Sequence, residues 1–330
     1  AIERLRTFSM RMPDARYDES SHAEAVARHL GTDHRTLECD ADPASDLVHL
    51  IRSTDLPLGD SSLLPTYWIS RAAREHVKVV VTGDGGDELF GGYHRHVVRR
   101  IPRIVGLVPS ILLSRRTPRS WSERLARLKA CYFDPTLLRA VFEPADLRRL
   151  IGEGPDMTPA GADPLTDDFE SYLPQDLFRK VDVASMAVGL EARTPFMSRD
   201  LVRACLGAPL ESLMPGGERK GLLRAVARRH LPGEVVDRPK MGFAIPVGEW
   251  FRTDHGGMRT LLHDMLGSVE PFRRVPLPID MDEVRRLLRE HDDAGTKSLR
   301  PWKGRDHAQR LYVLLVLAIW SEHGDADAGA

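Results

Sequence analysis

The sequence has few cysteines, little net charge and no long hydrophobic run. Three cysteines, Cys39, Cys131 and Cys205, are scattered over 330 residues. This usage argues against a disulfide framework or a cysteine zinc site and fits a reducing compartment. The formal net charge of −1 gives no reason to expect nucleic acid or an anionic membrane as a partner. The longest apolar run, residues 311–320, is too short to cross a bilayer, so we expect a cytoplasmic protein.

The hydrophobic pattern of the first 96 residues alternates between strand and helix. Strands are expected at residues 5–10, 35–39 and 79–82. Helices are expected from Ser20, as the N-cap, to a stop at Gly31, over residues 46–52, and from Pro65 to residue 76. This alternation predicts a parallel α/β sheet. Three strands are fewer than a typical sheet contains, so the sheet is expected to be incomplete.

After residue 96 the pattern becomes almost entirely helical. We therefore divide the chain into an α/β part at residues 1–96, a helical part at residues 97–323 and a frayed tail at residues 324–330. The β-branched run that closes the α/β pattern, residues 79–82, is expected to be buried on both faces of the sheet.

The most informative stretch is residues 79–93, which read VVVTGDGGDELFGGY. A buried strand breaks there into a glycine-rich loop with three carboxylates, Asp84, Asp87 and Glu88. An EF-hand would need glutamate at Arg95. A dinucleotide fingerprint would need glycine at Glu88, and no Walker lysine follows. Because carboxylates repel phosphate, a phosphate ligand would have to arrive with a metal. The residues alone leave two alternatives, a Mg-nucleotide site and a solvated acidic turn.

Two further stretches carry charged side chains that chemistry could use. Glu191 and Arg193 are expected at or just past the end of a helix, because Pro195 favours an extended Thr194; the alternative is a structural ion pair. Lys220 lies at the start of a helix, where an anion could bind, or it is only solvent-exposed.

The histidines near the acidic loop do not predict a zinc site. His94 and His96 stand at alternate positions with no clear third ligand.

Together these stretches resemble the synthetase domain of glutamine-hydrolysing asparagine synthetase. The matching segments occur in the family's order and span nearly the whole chain: TFSM (7–10), YDES to LGTDH (17–34), the stretch 79–93, LFRKVDVASMAVGLEARTPF (177–196), ERKGLLR (218–224) and LPGEVVDRPKMGFAIPVGEWF (231–251).

The resemblance implies a fold, a reaction and two cofactors. The fold is an adenine-nucleotide alpha-hydrolase-like sheet, pyrophosphatase-type and Rossmann-like, followed by a mostly helical C-terminal part. The reaction uses ATP and Mg²⁺: the aspartate β-carboxylate attacks the α-phosphate to give β-aspartyl-AMP and pyrophosphate, and ammonia then displaces AMP to give asparagine. The implied partners are aspartate and ammonia derived from glutamine, with a homodimer as an open alternative.

The resemblance also implies binding roles for four residues. Met10, through its main chain, and Thr82 and Gly83 are expected to contact ATP. Asp87 is expected to ligate Mg²⁺.

Four more residues are implied to act in the reaction itself. Lys220 neutralises phosphate charge. Asp84 stands where many members have glutamate, in the loop that orders the intermediate and receives ammonia. Glu191 and Arg193 are expected to shape the substrate pocket.

The chain departs from the family pattern at several points. The family's serine- and glycine-rich pyrophosphate loop and its N-terminal glutaminase domain, with a terminal cysteine nucleophile, have no match in this sequence. We therefore expect a truncated piece of a longer synthetase that is inactive alone. Val183 and Ser198 replace the usual arginine and aspartate, which keeps open a different acceptor acid, as in amidotransferase-like or β-lactam-forming synthetases. An inactive remnant is the remaining alternative.

Overall fold

A computed structural model of the protein describes residues 4–54, 56–93, 96–97, 141, 164–238, 245–294 and 306–323. The predicted frayed tail, residues 324–330, lies outside the described residues. The chain divides into two compact units: residues 1–41, 62–100 and 162–245 form the first, and residues 42–61, 101–161 and 246–330 form the second. The first unit thus joins residues from both sides of the boundary that the sequence suggests at residue 96.

Up to residue 93 the structure alternates strands and helices. The elements are β1 (Arg6–Arg11), α1 (Ser20–Leu30), β2 (Asp33–Glu38), α2 (Pro43–Thr54), α3 (Leu63–Arg74), β3 (Val79–Val81) and α4 (Gly86–Phe90).

After residue 163 the described elements are mostly helical. They are α5 (Pro164–Asp167), a π-helical segment (Asp168–Leu177), α6 (Phe178–Met186), β4 (Glu191–Arg193), a 3₁₀ turn (Pro195–Met197), α7 (Arg199–Leu206), α8 (Leu210–Leu213), a second 3₁₀ turn (Pro215–Gly217), α9 (Gly221–Ala227), α10 (Gly233–Val236), α11 (Val247–Thr253), a third 3₁₀ turn (His255–Gly257), α12 (Met258–Leu266), a fourth 3₁₀ turn (Glu270–Phe272), α13 (Met281–Ala294) and α14 (Ala308–His323).

The described strands form two small parallel sheets. β1 pairs with β2 along its whole length, so that Arg6 lies opposite Asp33. β3 pairs with β4, with Val79 opposite Glu191. The prediction of a parallel α/β architecture with a mostly helical remainder is confirmed at this coarse level.

Residues 191 and 193 lie just past the end of α6 at Met186, within the expected placement, but they form the strand β4, which the sequence pattern did not predict. Glu191 and Arg193 are strand residues, held in register by β3: the amide of Glu191 donates to the carbonyl of Lys78 at 2.9 Å. A three-residue segment with a single apolar side chain, Ala192, has no readable strand pattern. Its extended conformation depends on a distant partner strand, which the local sequence does not reveal.

The prediction that β3 is buried on both faces is wrong. Val79 and Val81 are 42% and 70% exposed, and only Val80, on the opposite face, packs into a core cluster around Leu37 and Ala73. In the part of the chain that the structure describes, the short β3–β4 sheet is therefore covered on one face. Parallel strands are buried on both sides only where helices cover both faces of the sheet. Among the described residues of the first unit, only the Val80 face of β3 is covered.

The predicted end of the first helix is confirmed, and its start differs slightly. Gly31 adopts a positive φ of 66°, and its amide donates to the carbonyl of Ala27, as a C-terminal glycine stop requires. Ser20 is the first helical residue rather than the N-cap. Asp18 accepts hydrogen bonds from the Ser20 amide and hydroxyl at 3.0 Å each, so the carboxylate satisfies the helix start in place of the serine.

The second unit is organised around α14. Its buried residues occur all around the helix, among them Leu311, Leu314 and Leu315, and such all-round burial indicates a central helix. None of the described helices has both the length and the apolar character needed to cross a membrane.

Candidate active site

The acidic loop begins where β3 ends, and its backbone extends the sheet by one hydrogen bond. The amide of Thr82 donates to the carbonyl of Arg193 at 2.9 Å. Thr82 and Gly83 therefore lie at the carboxyl end of the β3–β4 pair, the end where ligands bind in open α/β sheets. The Thr82 hydroxyl oxygen is buried and has no hydrogen-bond partner among the described residues. Among the described residues, no atom lies within 4 Å of where a Gly83 side chain would begin.

Close packing explains why two residues of the loop, Gly85 and Gly86, are glycines. Gly85 has a φ of 89°, in the region that favours glycine. A β-carbon on Gly85 would overlap the Met197 side chain, and one on Gly86 would lie 3.3 Å from the Phe196 ring. The loop is thus pressed against the 3₁₀ turn that follows β4.

Asp87 and Lys220, distant in sequence, form an ion pair. The Lys220 Nζ atom lies 2.9 Å from the Asp87 Oδ2 atom, and the two side chains are 28% and 22% exposed. Close beside them, Gly92 leaves no space for a side chain, since its β-carbon would lie 2.6 Å from the Cε atom of Lys220 and would overlap the Asp87 carboxylate. The structure therefore brings together the residue expected to bind metal and the residue expected to bind phosphate.

The backbone of Lys220 is held in an unusual conformation. Its φ is 55°, a left-handed geometry that costs a non-glycine residue about 1–2 kcal/mol. The amide of Lys220 donates to the carbonyl of Phe90, at the end of α4, at 3.2 Å. Residues held in such conformations cluster at functional sites, where the surroundings fix them. Lys220 is thus tied to α4 through both its backbone and its side chain.

Glu191 and Arg193 form the ion pair that the sequence left as an alternative. Residues two apart on a strand point to the same face, and here Arg193 Nε donates to Glu191 Oε1 at 2.7 Å. Both side chains are more than half exposed, and exposed pairs of this kind add about 0–1 kcal/mol to stability. Through the strand register, Val79 and Val81 lie beside this pair.

Met10 and Asp84, the remaining predicted site residues, take no part in the Asp87–Lys220 ion pair. Met10 lies on β1, in the other small sheet, opposite Leu37. Asp84 is partly exposed in the loop, and within the described residues its carboxylate forms no hydrogen bond or ion pair. Asp84 is thus partly exposed, while Asp87 is paired with Lys220.

Glu88 was grouped with the other two loop carboxylates in the sequence, and the structure separates it from them. The residue is 1% exposed, and its Oε1 atom accepts a hydrogen bond from the Tyr93 hydroxyl. Burial raises the pKa of Glu88, and the Tyr93 hydrogen bond opposes that rise only in part. Burial likewise raises the pKa of Tyr93. This buried pair was missed by the sequence analysis.

Asp87 is the carboxylate expected to bind a metal, and the described residues form no closed cage of protein ligands around it. No group of three or more histidine, cysteine, aspartate or glutamate side chains in the described ranges is arranged to hold a metal ion. Mg²⁺ in nucleotide sites is usually held by one or two carboxylates together with phosphates and water. The donor chemistry of Asp87 therefore fits Mg²⁺ that arrives bound to a nucleotide.

The sequence that builds this site matches a known family along nearly its whole length. The profile of the asparagine synthase family matches residues 2–322. The chain belongs to the asparagine synthase family. The resemblance drawn from the sequence motifs is thereby confirmed.

Curated asparagine synthetases align with this chain, two of them over nearly its whole length and a third over about a quarter of it. A Mycobacterium bovis protein named "Putative asparagine synthetase (glutamine-hydrolyzing)" is 28% identical over 96% of the chain and 50% of its own length. Asparagine synthetase (glutamine-hydrolyzing) 1 of Bacillus subtilis is 24% identical over 96% of the chain and 52% of its length. Asparagine synthetase B of Escherichia coli is 33% identical over 27% of the chain and 16% of its length. The chain spans about half the length of the first two relatives.

One feature of the sequence could have revealed the buried role of Glu88. Successive residues of a helix point about 100° apart, so Asp87 and Glu88 on α4 cannot face the same ligand. The tyrosine at residue 93, just after the paired glycines, is the side chain that completes the buried contact.

Proposed function

We propose that the chain is the amide-forming part of an asparagine synthetase, which converts aspartate to asparagine with ATP. Membership of the asparagine synthase family supports an ATP-dependent amide ligase. The single observation in the structure that carries the proposal is the 2.9 Å contact between Asp87 and Lys220. A carboxylate for a metal and an ammonium for phosphate lie side by side beyond the carboxyl end of β3. We further propose that the ammonia is derived from glutamine by a glutaminase domain.

The proposed fold is a pyrophosphatase-type, Rossmann-like nucleotide-binding sheet of the adenine-nucleotide alpha-hydrolase class. The parallel pairing of β1 with β2 and of β3 with β4 supports it, since parallel strands with crossover helices build such sheets. Under this proposal the nucleotide lies beyond the carboxyl ends of the strands.

The first chemical step joins two anions. An oxygen of the aspartate β-carboxylate forms a bond to the α-phosphorus of ATP, and the bond from that phosphorus to the bridging oxygen breaks. Pyrophosphate leaves with the electron pair, and β-aspartyl-AMP remains. Because negative charge grows on the leaving group, cationic groups placed beside it lower the barrier.

Lys220 is assigned to this growing charge. Its ammonium is preorganised by the left-handed backbone and by the amide contact to Phe90. Asp87 would hold Mg²⁺, which supplies further positive charge to the phosphates when bound. Removing a preorganised contact of this kind costs about 3 kcal/mol of transition-state stabilisation.

Thr82, Gly83 and Met10 are assigned to the nucleotide. The buried Thr82 hydroxyl, which has no hydrogen-bond partner among the described residues, is the kind of polar atom that a ligand satisfies. The open space at Gly83 lets a ligand approach the backbone. Met10 would contribute its main chain, since its side chain is buried.

Asp84, Glu191 and Arg193 are assigned to the second step and to the acceptor. Ammonia attacks the acyl carbon, the carbon–oxygen bond to AMP breaks, and the ammonium nitrogen loses a proton. Asp84, which is partly exposed, would order the intermediate and receive ammonia. Glu191 and Arg193 present paired opposite charges suited to the ammonium and carboxylate groups of an amino acid.

ATP and free aspartate are cytoplasmic metabolites, so we place the protein in the cytoplasm.

The test is pyrophosphate release from Mg-ATP and aspartate with ammonia supplied, measured on the full-length protein. We expect Asp87→Asn to abolish release at moderate Mg²⁺, because a carboxylate ligand is lost. Lys220→Ala is expected to lower the single-turnover rate about a hundredfold with little change in apparent ATP affinity. Asp14→Asn, which removes an exposed carboxylate paired with Arg16, is the matched control.

Three outcomes would contradict the proposal. Near-normal release by Asp87→Asn at all Mg²⁺ concentrations would remove Asp87 from the site. Pyrophosphate release with other amino acids and none with aspartate would show that the substrate acid is not aspartate. Absence of release with every acid tested would leave a protein without this activity.

A further inference from the structure

A cluster of buried polar side chains packs against α4 and has no part in the proposed reaction. Its members are Glu88, Tyr93, His96, Asp168 and Tyr172, called here the Tyr93 cluster. Glu88, His96 and Asp168 are each less than a tenth exposed. Burying such polar groups costs about 1–3 kcal/mol each where hydrogen bonding is incomplete, so the cluster calls for a reason beyond packing.

Tyr93 is the residue that joins the cluster. Its hydroxyl donates to Glu88 Oε1 on α4. Its ring meets those of His96 and Tyr172 edge-on, at centroid distances of 5.4 and 5.9 Å. His96 Nε2 in turn lies 2.7 Å from Asp168 Oδ2. Asp168 and Tyr172 belong to the π-helical segment, a rare conformation that often occurs at functional sites.

The cluster is directly connected to the Asp87–Lys220 pair. Glu88 follows Asp87 in the chain, and Tyr93 follows Gly92, whose amide donates to the carbonyl of Asp87 at 2.8 Å. Residues 87–93 thus form a closed turn with two cross-links. The Gly92 amide makes the first, through the backbone, and the Tyr93 hydroxyl makes the second, through the Glu88 side chain.

We propose that Glu88 and Tyr93 are positioning residues, whose hydrogen bond fixes the 87–93 turn so that the Asp87 carboxylate faces the Lys220 ammonium. The consequence for catalysis rests on the proposed function, whereas the geometric claim concerns the ion pair alone. A turn free to rotate at Asp87 would misplace the carboxylate, and misplacement by about 1 Å can cost roughly a hundredfold in rate.

A purely structural role for the hydrogen bond makes a different prediction. Tyr93→Phe leaves a buried Glu88 carboxyl without its donor, which destabilises the fold whatever its function. The double variant Glu88→Met/Tyr93→Phe removes both partners, a change that can be nearly neutral for stability. A structural role therefore predicts that the double variant is normal. The positioning role predicts that it folds and still has a loosened Asp87–Lys220 pair.

The experiment measures the reactivity of Lys220 and, separately, catalysis. Each folded variant is treated with acetic anhydride at a pH below the ordinary pKa of lysine. The acetylation rate of Lys220 is followed by mass spectrometry against that of Lys78 in the same protein. We expect the relative rate to rise in Tyr93→Phe and in the double variant toward the value in Asp87→Asn. Glu88→Gln keeps the oxygen that accepts from Tyr93 and is expected to remain near wild type. Tyr17→Phe, which removes an unrelated phenol, is the control.

Catalysis provides the second measurement. In the variants with raised Lys220 reactivity, kcat for pyrophosphate formation is expected to fall by about tenfold or more, while KM for ATP changes less. A double variant with wild-type Lys220 reactivity and kcat would overturn the positioning role, and this holds even if Tyr93→Phe alone fails to fold. If the wild-type protein forms no pyrophosphate, the proposed function fails, but the acetylation rates still decide the geometric claim.

Discussion

At the scale of single residues, Gly92 shows how closely the site is built. A β-carbon there would overlap the Asp87 carboxylate and lie 2.6 Å from the Cε atom of Lys220. Gly92→Ala is therefore expected to separate the ion pair and to lower the rate of pyrophosphate formation about a hundredfold. The free energy of unfolding should fall by only about 1–3 kcal/mol, as for a local overpacking.

The matched control for Gly92→Ala is Gly233→Ala at the first residue of α10. The nearest atom to its β-carbon, an Asp237 carboxylate oxygen, lies at an ordinary 3.7 Å, so neither rate nor stability should suffer. Steady-state kinetics and urea denaturation of both variants check the prediction. Equal activity of Gly92→Ala and wild type would mean that the Asp87–Lys220 contact is not required for turnover.

Residue chemistry was only partly predictable from the sequence. The sequence identified Asp87 and Lys220 as candidates, but spacing along the chain cannot show that they meet at 2.9 Å. The loop pattern also grouped Glu88 with Asp84 and Asp87. The structure separates Glu88, which is buried, from its neighbour Asp87, because successive residues of the helix at residues 86–90 point in different directions.

At the scale of secondary-structure elements, the junction of α13 and α14 contains an acid-sensitive contact. Asp306, just before α14, lies 3.3 Å from His291 Nδ1 on α13 and accepts the Ala308 amide at 2.9 Å. The hydrogen bond to His291, together with the Ala308 amide and the charge of Arg252, lowers the pKa of Asp306 from its ordinary 3.8 to about 2, although partial burial acts in the opposite direction.

The sign of the resulting pH dependence follows from this lowered pKa. A carboxyl whose pKa is lower in the folded state adds stability above its unfolded pKa and loses it as pH falls through the folded value. The contribution of Asp306 should thus disappear between about pH 4 and about pH 2. Asp306→Asn is expected to be less stable than wild type above this window and to converge with it below.

Urea midpoints measured across the acid range test the Asp306 prediction. Asp282→Asn, on the same junction's helix α13, is the control and should follow the wild-type curve, since its carboxylate is exposed. Parallel curves for wild type and Asp306→Asn at all pH values would show that the His291 contact does not contribute.

The sequence pattern predicted well those elements whose start or end is determined by nearby residues. The α1 helix ends at Gly31, as expected, because a glycine with positive φ terminates it locally. β4 was missed because its strand conformation comes from pairing with β3, a contact between residues far apart in the chain. The π-helical segment was also unforeseen, since its residues follow an ordinary helical pattern up to Pro174.

At the scale of the whole molecule, the exposed face of β3 predicts self-association. Val79 and Val81 expose apolar surface on a strand, and exposed apolar surface near a strand promotes contact between molecules. Val81→Thr keeps the β-branched shape and lowers the apolar area. It is expected to reduce concentration-dependent association and to change the free energy of unfolding by less than about 0.5 kcal/mol.

Val80→Thr, on the opposite face of the same strand, is the control for Val81→Thr. Val80 packs into the core cluster, where an added hydroxyl costs about 1–3 kcal/mol. Sedimentation velocity at several concentrations and thermal unfolding separate the two effects. An association constant unchanged in Val81→Thr would show that this face is not the contact surface.

The pairing of Asp87 with Lys220 has a consequence for how ligands arrive. In the free protein the Asp87 carboxylate and the Lys220 ammonium bind each other. A cation that binds Asp87 therefore releases the lysine, and an anion that binds Lys220 releases the carboxylate. By thermodynamic linkage the two ligands must raise each other's affinity by the same factor. Such a site discriminates against either ion alone and favours a cation and a polyanion that enter as one complex. Cooperativity of this kind would keep free phosphate and free Mg²⁺ from occupying the site between turnovers.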